Sequence, residues 1–120
     1  MPSPQAGHPI STWAFAPASG GIVNTSDNAA AAAPGASIRN FVTSMQCVNQ
    51  HATVSTEVVI KSNATVIWRG YFQAVSVGGT VCMNFDPPLK GGVNEAINVA
   101  CITTGAAVYP NIQGFVSRES

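Results

Sequence analysis

Residues 38–48 have the sequence IRNFVTSMQCV, and this stretch decides the fold class. It contains β-branched and aromatic side chains but no glycine or proline, a composition that suits a β-strand better than a helix. Because successive side chains of a strand point to opposite faces, the stretch predicts two sets of side chains. One face would carry Phe41, Thr43, Met45 and Cys47, and the other would carry Asn40, Ser44 and Gln46.

Similar segments surround this stretch, and turn-forming residues separate them. They lie at 12–16, 22–25, 54–61, 65–69, 71–77, 80–85, 96–103 and 108–116. Asn63 tolerates the left-handed backbone of a tight turn, so it predicts a hairpin between two of them. Residues 86–92 contain two prolines, which lack backbone donors, and therefore predict a surface loop. This pattern is typical of an antiparallel β-sandwich or a barrel.

The composition also favours an all-β chain. Among 120 residues there are 14 valines and 8 isoleucines but a single leucine, Leu89. Only 8% of the residues are charged, five basic and five acidic, against roughly 25% in an ordinary soluble domain. A neutral chain with so few cations is not expected to bind nucleic acid. The absence of a run of about 18 apolar residues also argues against a membrane span.

The chain is expected to form one domain, residues 12–120, preceded by a flexible or extended arm at residues 1–11. Residues 28–36, NAAAAAPGA, predict either a short helix or a loop or edge segment. No signal-peptide pattern precedes the three cysteines, so we expect synthesis in a reducing cytosol. Cys47, Cys82 and Cys101 lack the spacing of zinc ligands and are predicted to be small buried hydrophobic residues.

No set of residues indicates catalysis. His51 falls in a predicted turn and His8 in the arm. Cys47 precedes His51 by four residues, but across a strand end this spacing points the two side chains apart, so we expect no Cys–His pair. No feature of the sequence supports a pair of catalytic carboxylates. We therefore expect no enzymatic activity, no cofactor and no metal. Trp68 and Arg69, with Tyr71 nearby, could form a surface that stacks on sugars. The alternative is that Trp68 is the core tryptophan of a sandwich.

Several segments taken in order resemble small virion proteins of tailed bacteriophages, the capsid decoration (cement) proteins and related appendage modules. They are WAFAPASGGIVNT at 13–25, IRNFVTSMQ at 38–46, EVVIK at 57–61, VIWRG at 66–70, FDPPL at 85–89, NEAINV at 94–99 and VYPNIQGF at 108–115. The resemblance covers residues 12–116. It implies an antiparallel β-sandwich of jelly-roll type, often assembled as a homotrimer, that binds a capsid without catalysis.

The resemblance therefore predicts a virion protein, made in the cytoplasm of the bacterial host, whose partners are the major capsid protein and copies of itself. The expected contact segment is the arm and first strand, with Trp13 and Phe15 as anchors and Pro9 and Ile10 beside them. Alternatively, Trp13 is buried in its own domain. A second functional hypothesis is a tail-fibre or receptor-binding module that recognises host glycans.

Overall fold

The computed structural model describes residues 9–74 and 81–118, which contain β-strands and turns but no helix. The strands form two antiparallel sheets, sheet 1 with the order β1-β8-β3-β6 and sheet 2 with the order β2-β7-β4-β5. Their bounds are β1 Pro9–Phe15, β2 Asn28–Ala31, β3 Ile38–Asn49, β4 Thr56–Ser62, β5 Thr65–Phe72, β6 Val81–Val93, β7 Ile97–Cys101 and β8 Val108–Arg118. The prediction of an all-β fold with antiparallel sheets is confirmed.

The hydrophobic core lies between the two sheets. Val42, Met45 and Ile112 of sheet 1 contribute to the same buried cluster as Ile60 and Val99 of sheet 2. Each of these side chains is at most 2% exposed, and burial of one such side chain stabilises the fold by about 1.5–3 kcal/mol. The sheets are therefore held face to face, as in a β-sandwich.

Strand β3 lies in the middle of sheet 1, where it pairs with both β8 and β6. Its register shifts between Val42 and Ser44, so the alternation of faces changes phase there. The predicted faces are therefore wrong for Asn40 and Phe41, and also for Thr43, which lines the outer face and not the face of Met45 and Cys47. Asn40 is fully buried, whereas Phe41 points outward and stacks on Phe115.

Strand β6 contains the segment that was expected to be a surface loop. Residues 86–92 lie within β6, at the edge of sheet 1, so this prediction is wrong. Pairing with β3 reaches Asn84 and resumes at Leu89, and both prolines fall between these paired positions. An edge strand tolerates prolines because they need not donate to the ladder.

The first strand begins earlier than predicted. β1 starts at Pro9, which pairs with Ser117 of β8, so residues 9–11 of the expected arm form part of sheet 1. Residues 1–8 lie outside the described residues, as do 75–80 of the predicted segments 71–77 and 80–85. The alanine-rich segment forms edge strand β2, which is one of the two alternatives that its sequence left open. Asn63 has a φ of 49° between β4 and β5, and the predicted hairpin is confirmed.

A buried amide connects the ends of three segments at one end of the sandwich. Asn49, 1% exposed, donates from Nδ2 to the carbonyl oxygens of Val54 at 2.8 Å and Phe72 at 3.3 Å. Its Oδ1 accepts from the backbone N–H of His51 at 3.1 Å. His51 in turn accepts at Nδ1 from the N–H of Val54 at 2.9 Å. His51 thus stabilises the turn after β3, a position that agrees with the predicted turn histidine.

Candidate functional site

The outer face of sheet 1 carries rows of uncharged side chains, polar on β8, β3 and β6 and ending at an alanine of β1. In one row, Gln113 lies opposite Ala14 of β1 and Ser44 of β3, and Ser44 lies opposite Asn84 of β6. In the next, Gln46 lies between Asn111 and Cys82. We call this set the amide face, and its members are Ala14, Ser44, Gln46, Cys82, Asn84, Asn111 and Gln113.

The amide face is concave. A depression of about 450 Å³ crosses the sheet and is lined by all seven of its residues. A second depression of about 470 Å³ adjoins it and is lined in part by Thr12, Thr43 and Phe115. Phe41 and Phe115 stack at one end, with ring centroids 4.9 Å apart and planes 9° from parallel. The face thus combines exposed hydrogen-bonding groups with an aromatic stack, beside which the exposed Lys90 pairs with Phe41.

One of the three thiols lies on this face. Cys82 is exposed, so the prediction that all three cysteines are buried is wrong for this one. Cys47 and Cys101 are buried as predicted. Burial raises the pKa of the Cys47 thiol to about 12, with a smaller contribution from Cys101, and raises the pKa of Cys101 to about 11. Because the thiolate is the reactive form, Cys82 is the accessible nucleophile.

The outer face of sheet 2 has a different chemistry. Lys61 of β4 forms an ion pair with Asp27 at 2.9 Å. Arg69 of β5 lies 3.4 Å from Glu57 of β4. Tyr71, on the same strand as Arg69, is 66% exposed. This face therefore carries charged side chains, in contrast to the amide face, although Val59 and Ala100 at its centre are buried.

The three residues proposed to stack on sugars do not share one surface. Trp68 pairs with Ile60 on the inner face of sheet 2 and packs against the core. Its ring lies 6.1 Å from that of Phe85 in an edge-to-face arrangement. Arg69 and Tyr71 pair with Val59 and Glu57, on the alternate, outer positions. The sugar-stacking prediction for the trio is wrong because odd and even positions of a strand face opposite ways.

The predicted capsid anchors lie in and beside the core. Trp13 and Phe15 are half-buried and pack against the hydrophobic core. The six-membered part of the Trp13 indole covers Gly114 of β8. This is the alternative in which Trp13 belongs to its own domain. Pro9 and Ile10 form the start of β1, and their side chains lie outside the described residues.

Comparison with protein-family models, with curated proteins and with solved structures gave no match. Within residues 9–74 and 81–118, no group of three or more histidine, cysteine, aspartate or glutamate residues is placed to hold a metal ion. In the same residues, no helix has the length and apolar character that crossing a membrane requires.

Sequence reasoning missed the amide face as a unit, although three of its four strands carry a signal. Polar residues occupy alternate positions at 44 and 46, at 82 and 84, and at 111 and 113. These polar residues form one continuous surface only because of the registers in which β3 pairs with β6 and with β8. These pairings join residues that are distant in sequence, and the shift between Val42 and Ser44 is invisible in the sequence pattern.

Proposed function

We propose that this protein is a capsid decoration protein of a bacteriophage, a jelly roll that binds the outside of the assembled head and stabilises it. The pairing pattern supports the jelly-roll topology. β1 pairs with β8, β2 with β7, β3 with β6 and β4 with β5. This is the pattern of one long antiparallel hairpin, closed at β4–β5 and rolled into two sheets, and viral capsid domains often have this architecture.

The amide face is the observation that carries the docking part of the proposal. Its concave surface offers amide and hydroxyl groups without a charged side chain. Burying uncharged groups that find new hydrogen bonds costs much less than burying ions. The Phe41–Phe115 stack supplies an aromatic anchor, the role that the sequence predicts for Trp13 and Phe15, which instead pack against the core.

In this proposal the protein acts by mass action and not by catalysis. A protein that binds only the assembled shell stabilises it by its binding free energy. A homotrimer over a local threefold axis would contact several subunits of the major capsid protein at once, so that weak contacts reinforce one another. The protein would be made in the cytoplasm of the bacterial host and reside in the virion.

The docking surface is tested by placing a charge on it. Gln46→Lys adds an ammonium group to the amide face, whereas Gln73→Lys adds one to an exposed position after β5. Emptied capsids of the phage that encodes the chain are titrated with each purified variant, and occupancy is measured by sedimentation. We expect Gln46→Lys to bind about tenfold or more weakly, because the ammonium must lose water in the interface. Equal binding by the two variants would falsify the docking surface.

The alternative function is a tail-fibre or receptor-binding module that recognises host glycans. The number of copies per virion separates the two hypotheses, since hundreds of copies indicate the head and about a dozen or fewer indicate the tail. Among the three aromatic and basic candidates, only Arg69 and Tyr71 face outward. Glycan-array binding that is lost in Tyr71→Ala, with Trp68→Phe unchanged, would favour the alternative.

A further inference from the structure

The turn between β3 and β4 is closed around the imidazole of His51. Nδ1 of His51 accepts from the backbone N–H of Thr53 at 3.1 Å and from that of Val54 at 2.9 Å. Because both partners are N–H donors, Nδ1 carries no hydrogen, and the single hydrogen of the neutral ring is on Nε2. The closed turn, residues 50–55, therefore contains the neutral form of histidine. We call it the histidine turn.

The histidine turn also holds two other segments at this end of the sandwich. The N–H of Gln50 donates to the carbonyl oxygen of Ala107, in the loop before β8, at 2.7 Å. The N–H of Ala74, just after β5, donates to Oγ of Ser55 at 3.0 Å. Val54 of the turn packs against the hydrophobic core. Opening of the turn would therefore release both segments and uncover an apolar side chain.

His51 is the group at this end whose charge can change near neutral pH. No charged residue occurs in residues 49–56, 72–74 or 101–108, the segments that meet here. The nearest titratable residues along the adjoining strands are Cys47 of β3, Glu57 of β4, Tyr71 of β5, Cys82 of β6, Cys101 of β7 and Tyr109 of β8. Between about pH 8 and pH 5, thiols and phenols keep their protons and carboxylates stay ionised. The carboxylate of Glu57 pairs with Arg69 on the outer face of sheet 2.

A second proton on the imidazole is incompatible with the closed turn. The imidazolium ring carries a hydrogen on both nitrogens and has no acceptor left. Its Nδ1–H would point at the N–H groups of Thr53 and Val54, which would lose this acceptor at a cost in free energy. An open turn exposes the ring to water, where it binds the proton without that cost. Because the open form binds more protons than the closed form, acid favours opening.

We propose that the histidine turn is an acid-sensitive latch, closed while His51 is neutral and opened when His51 binds a proton. Histidine changes charge between about pH 5 and pH 8, so the latch responds to mild acidification. Opening releases the end of β5 and the loop before β8 and exposes Val54, while the two sheets stay paired. This inference does not depend on the proposed function.

Two variants separate protonation of His51 from its mere presence. In His51→Asn, the amide oxygen can replace Nδ1 as the acceptor, because both atoms are bonded to Cγ, and it does not titrate. In His51→Ala, the acceptor is absent at every pH. Hydrogen exchange of the Thr53 and Val54 amides is followed by NMR in the unaltered chain and in both variants. Rates are compared only at the same pH, so that the intrinsic pH dependence of exchange cancels.

The unaltered chain should change its behaviour with pH, whereas the variants should not. At about pH 7.5 its Thr53 and Val54 amides should exchange as slowly as those of His51→Asn. At about pH 5 they should exchange about tenfold or more faster than those of His51→Asn and approach the rates of His51→Ala. Asn63 and Ala96, which are hydrogen-bonded to each other at the opposite end of β4, report on global unfolding and should exchange at equal rates in all three chains.

Two outcomes of the exchange experiment would overturn the proposal. Equal exchange in the unaltered chain and in His51→Asn at about pH 5 would show that protonation does not open the turn. Acceleration at Asn63 and Ala96 together with the turn would show that the whole domain unfolds and that no local latch exists.

The imidazole ¹⁵N signals provide a check that does not depend on either variant, with His8→Gln used to assign them. Nδ1 of His51 should carry no hydrogen at about pH 7.5 and should gain one over the pH range in which the Thr53 and Val54 amides lose protection. A hydrogen on Nδ1 at the higher pH, or protonation without loss of protection, would contradict the latch.

Discussion

The two sheets are alike on their inner faces and different on their outer faces. Inside, each sheet places a tryptophan over a glycine of the same sheet: Trp13 covers Gly114 in sheet 1, and Trp68 covers Gly70 in sheet 2. Both indoles pack against the core. In both places the missing Cβ of the glycine leaves space for the indole ring.

Charged residues lie on strands of both sheets: Arg39, Asp86, Lys90 and Arg118 on strands of sheet 1, and Glu57, Lys61 and Arg69 on strands of sheet 2. Two ion pairs lie on sheet 2, Lys61 with Asp27 and Arg69 with Glu57. The amide face of sheet 1 has no charged residue. A charged face stays in water because ions are expensive to desolvate, whereas amides can exchange water for new partners. The uncharged positions of the amide face, and not sheet 1 as a whole, are therefore the part of the two outer faces that costs least to desolvate.

The largest expected effect concerns the inner faces, each of which carries a buried thiol. Cys47 belongs to sheet 1 and Cys101 to sheet 2, with raised pKa values of about 12 and about 11 against an ordinary value of 9.0. Above about pH 9 the unfolded chain loses these protons while the folded chain keeps them. The two thiols therefore leave stability unaffected at lower pH and reduce it as pH rises, by about 1.4 kcal/mol per pH unit for each thiol.

Urea unfolding between about pH 8 and pH 10.5 measures this slope. Cys101→Ala should make the decline shallower by about 1.4 kcal/mol per pH unit, because one titrating thiol is removed. Cys82→Ser is the matched control, since that thiol is exposed in the folded state, and it should leave the slope unchanged. Identical slopes in Cys101→Ala and the unaltered chain would contradict the assignment.

The next effect separates the two tryptophan–glycine pairs. A Cβ on Gly114 would meet the backbone carbonyl oxygen of Phe41 as well as the Trp13 ring, whereas the three atoms nearest to a Cβ on Gly70 all belong to the Trp68 ring. A side chain can move aside, but a backbone carbonyl in the middle of a sheet cannot. We expect Gly114→Ala to lower the free energy of unfolding by about 3 kcal/mol or more and Gly70→Ala by about 1 kcal/mol.

Denaturant midpoints of the two variants decide this comparison. Equal losses in the free energy of unfolding would show that contact with the indole ring alone determines the cost at both glycines. The backbone of β3 at Phe41 would then move aside as readily as the Trp68 ring. A larger loss at Gly70 would reverse the interpretation, because the space beneath Trp68 would then be the more rigid one.

The inner faces were the more predictable part of the molecule. β-Branched runs predicted the strands, and alternation grouped Met45 and Cys47 on one face, because burial imposes a period of two on any strand with one face in the core. Alternation failed at Phe41, on the far side of a register shift that no local residue signals. The position of Trp68 depends on the same alternation, which separates it from Arg69 and Tyr71.

The outer faces could not be predicted from sequence to the same extent. Single strands show polar residues at alternate positions, but a face exists only once the registers of β8, β3 and β6 are fixed. Those pairings connect distant parts of the chain, and many registers leave the core equally apolar.

The exposed thiol of Cys82 allows a test of which outer face contacts the capsid in the proposed function. Near neutral pH, a maleimide should label Cys82 alone in the folded chain, because Cys47 and Cys101 are buried with raised pKa values. Docking on a capsid should slow this labelling. Tyr71→Cys in a Cys82→Ser background places the reporter on sheet 2 and should label at the same rate free or bound. Protection of the sheet 2 reporter alone would assign docking to the charged face.

The smallest effect is expected for the ion pairs of sheet 2. Glu57→Gln removes the partner of Arg69, whose side chain is 60% exposed, with the two groups 3.4 Å apart. Exposed pairs lose most of their attraction to solvent screening, so the free energy of unfolding should fall by about 0.5 kcal/mol or less. Raising the ionic strength to about 1 M should remove even this difference, because the screening length shrinks to about 3 Å. Urea unfolding at low and high salt measures both quantities. A loss above about 1 kcal/mol that persists at high salt would contradict this expectation. It would mean that Glu57 stabilises sheet 2 by more than a solvent-screened ion pair.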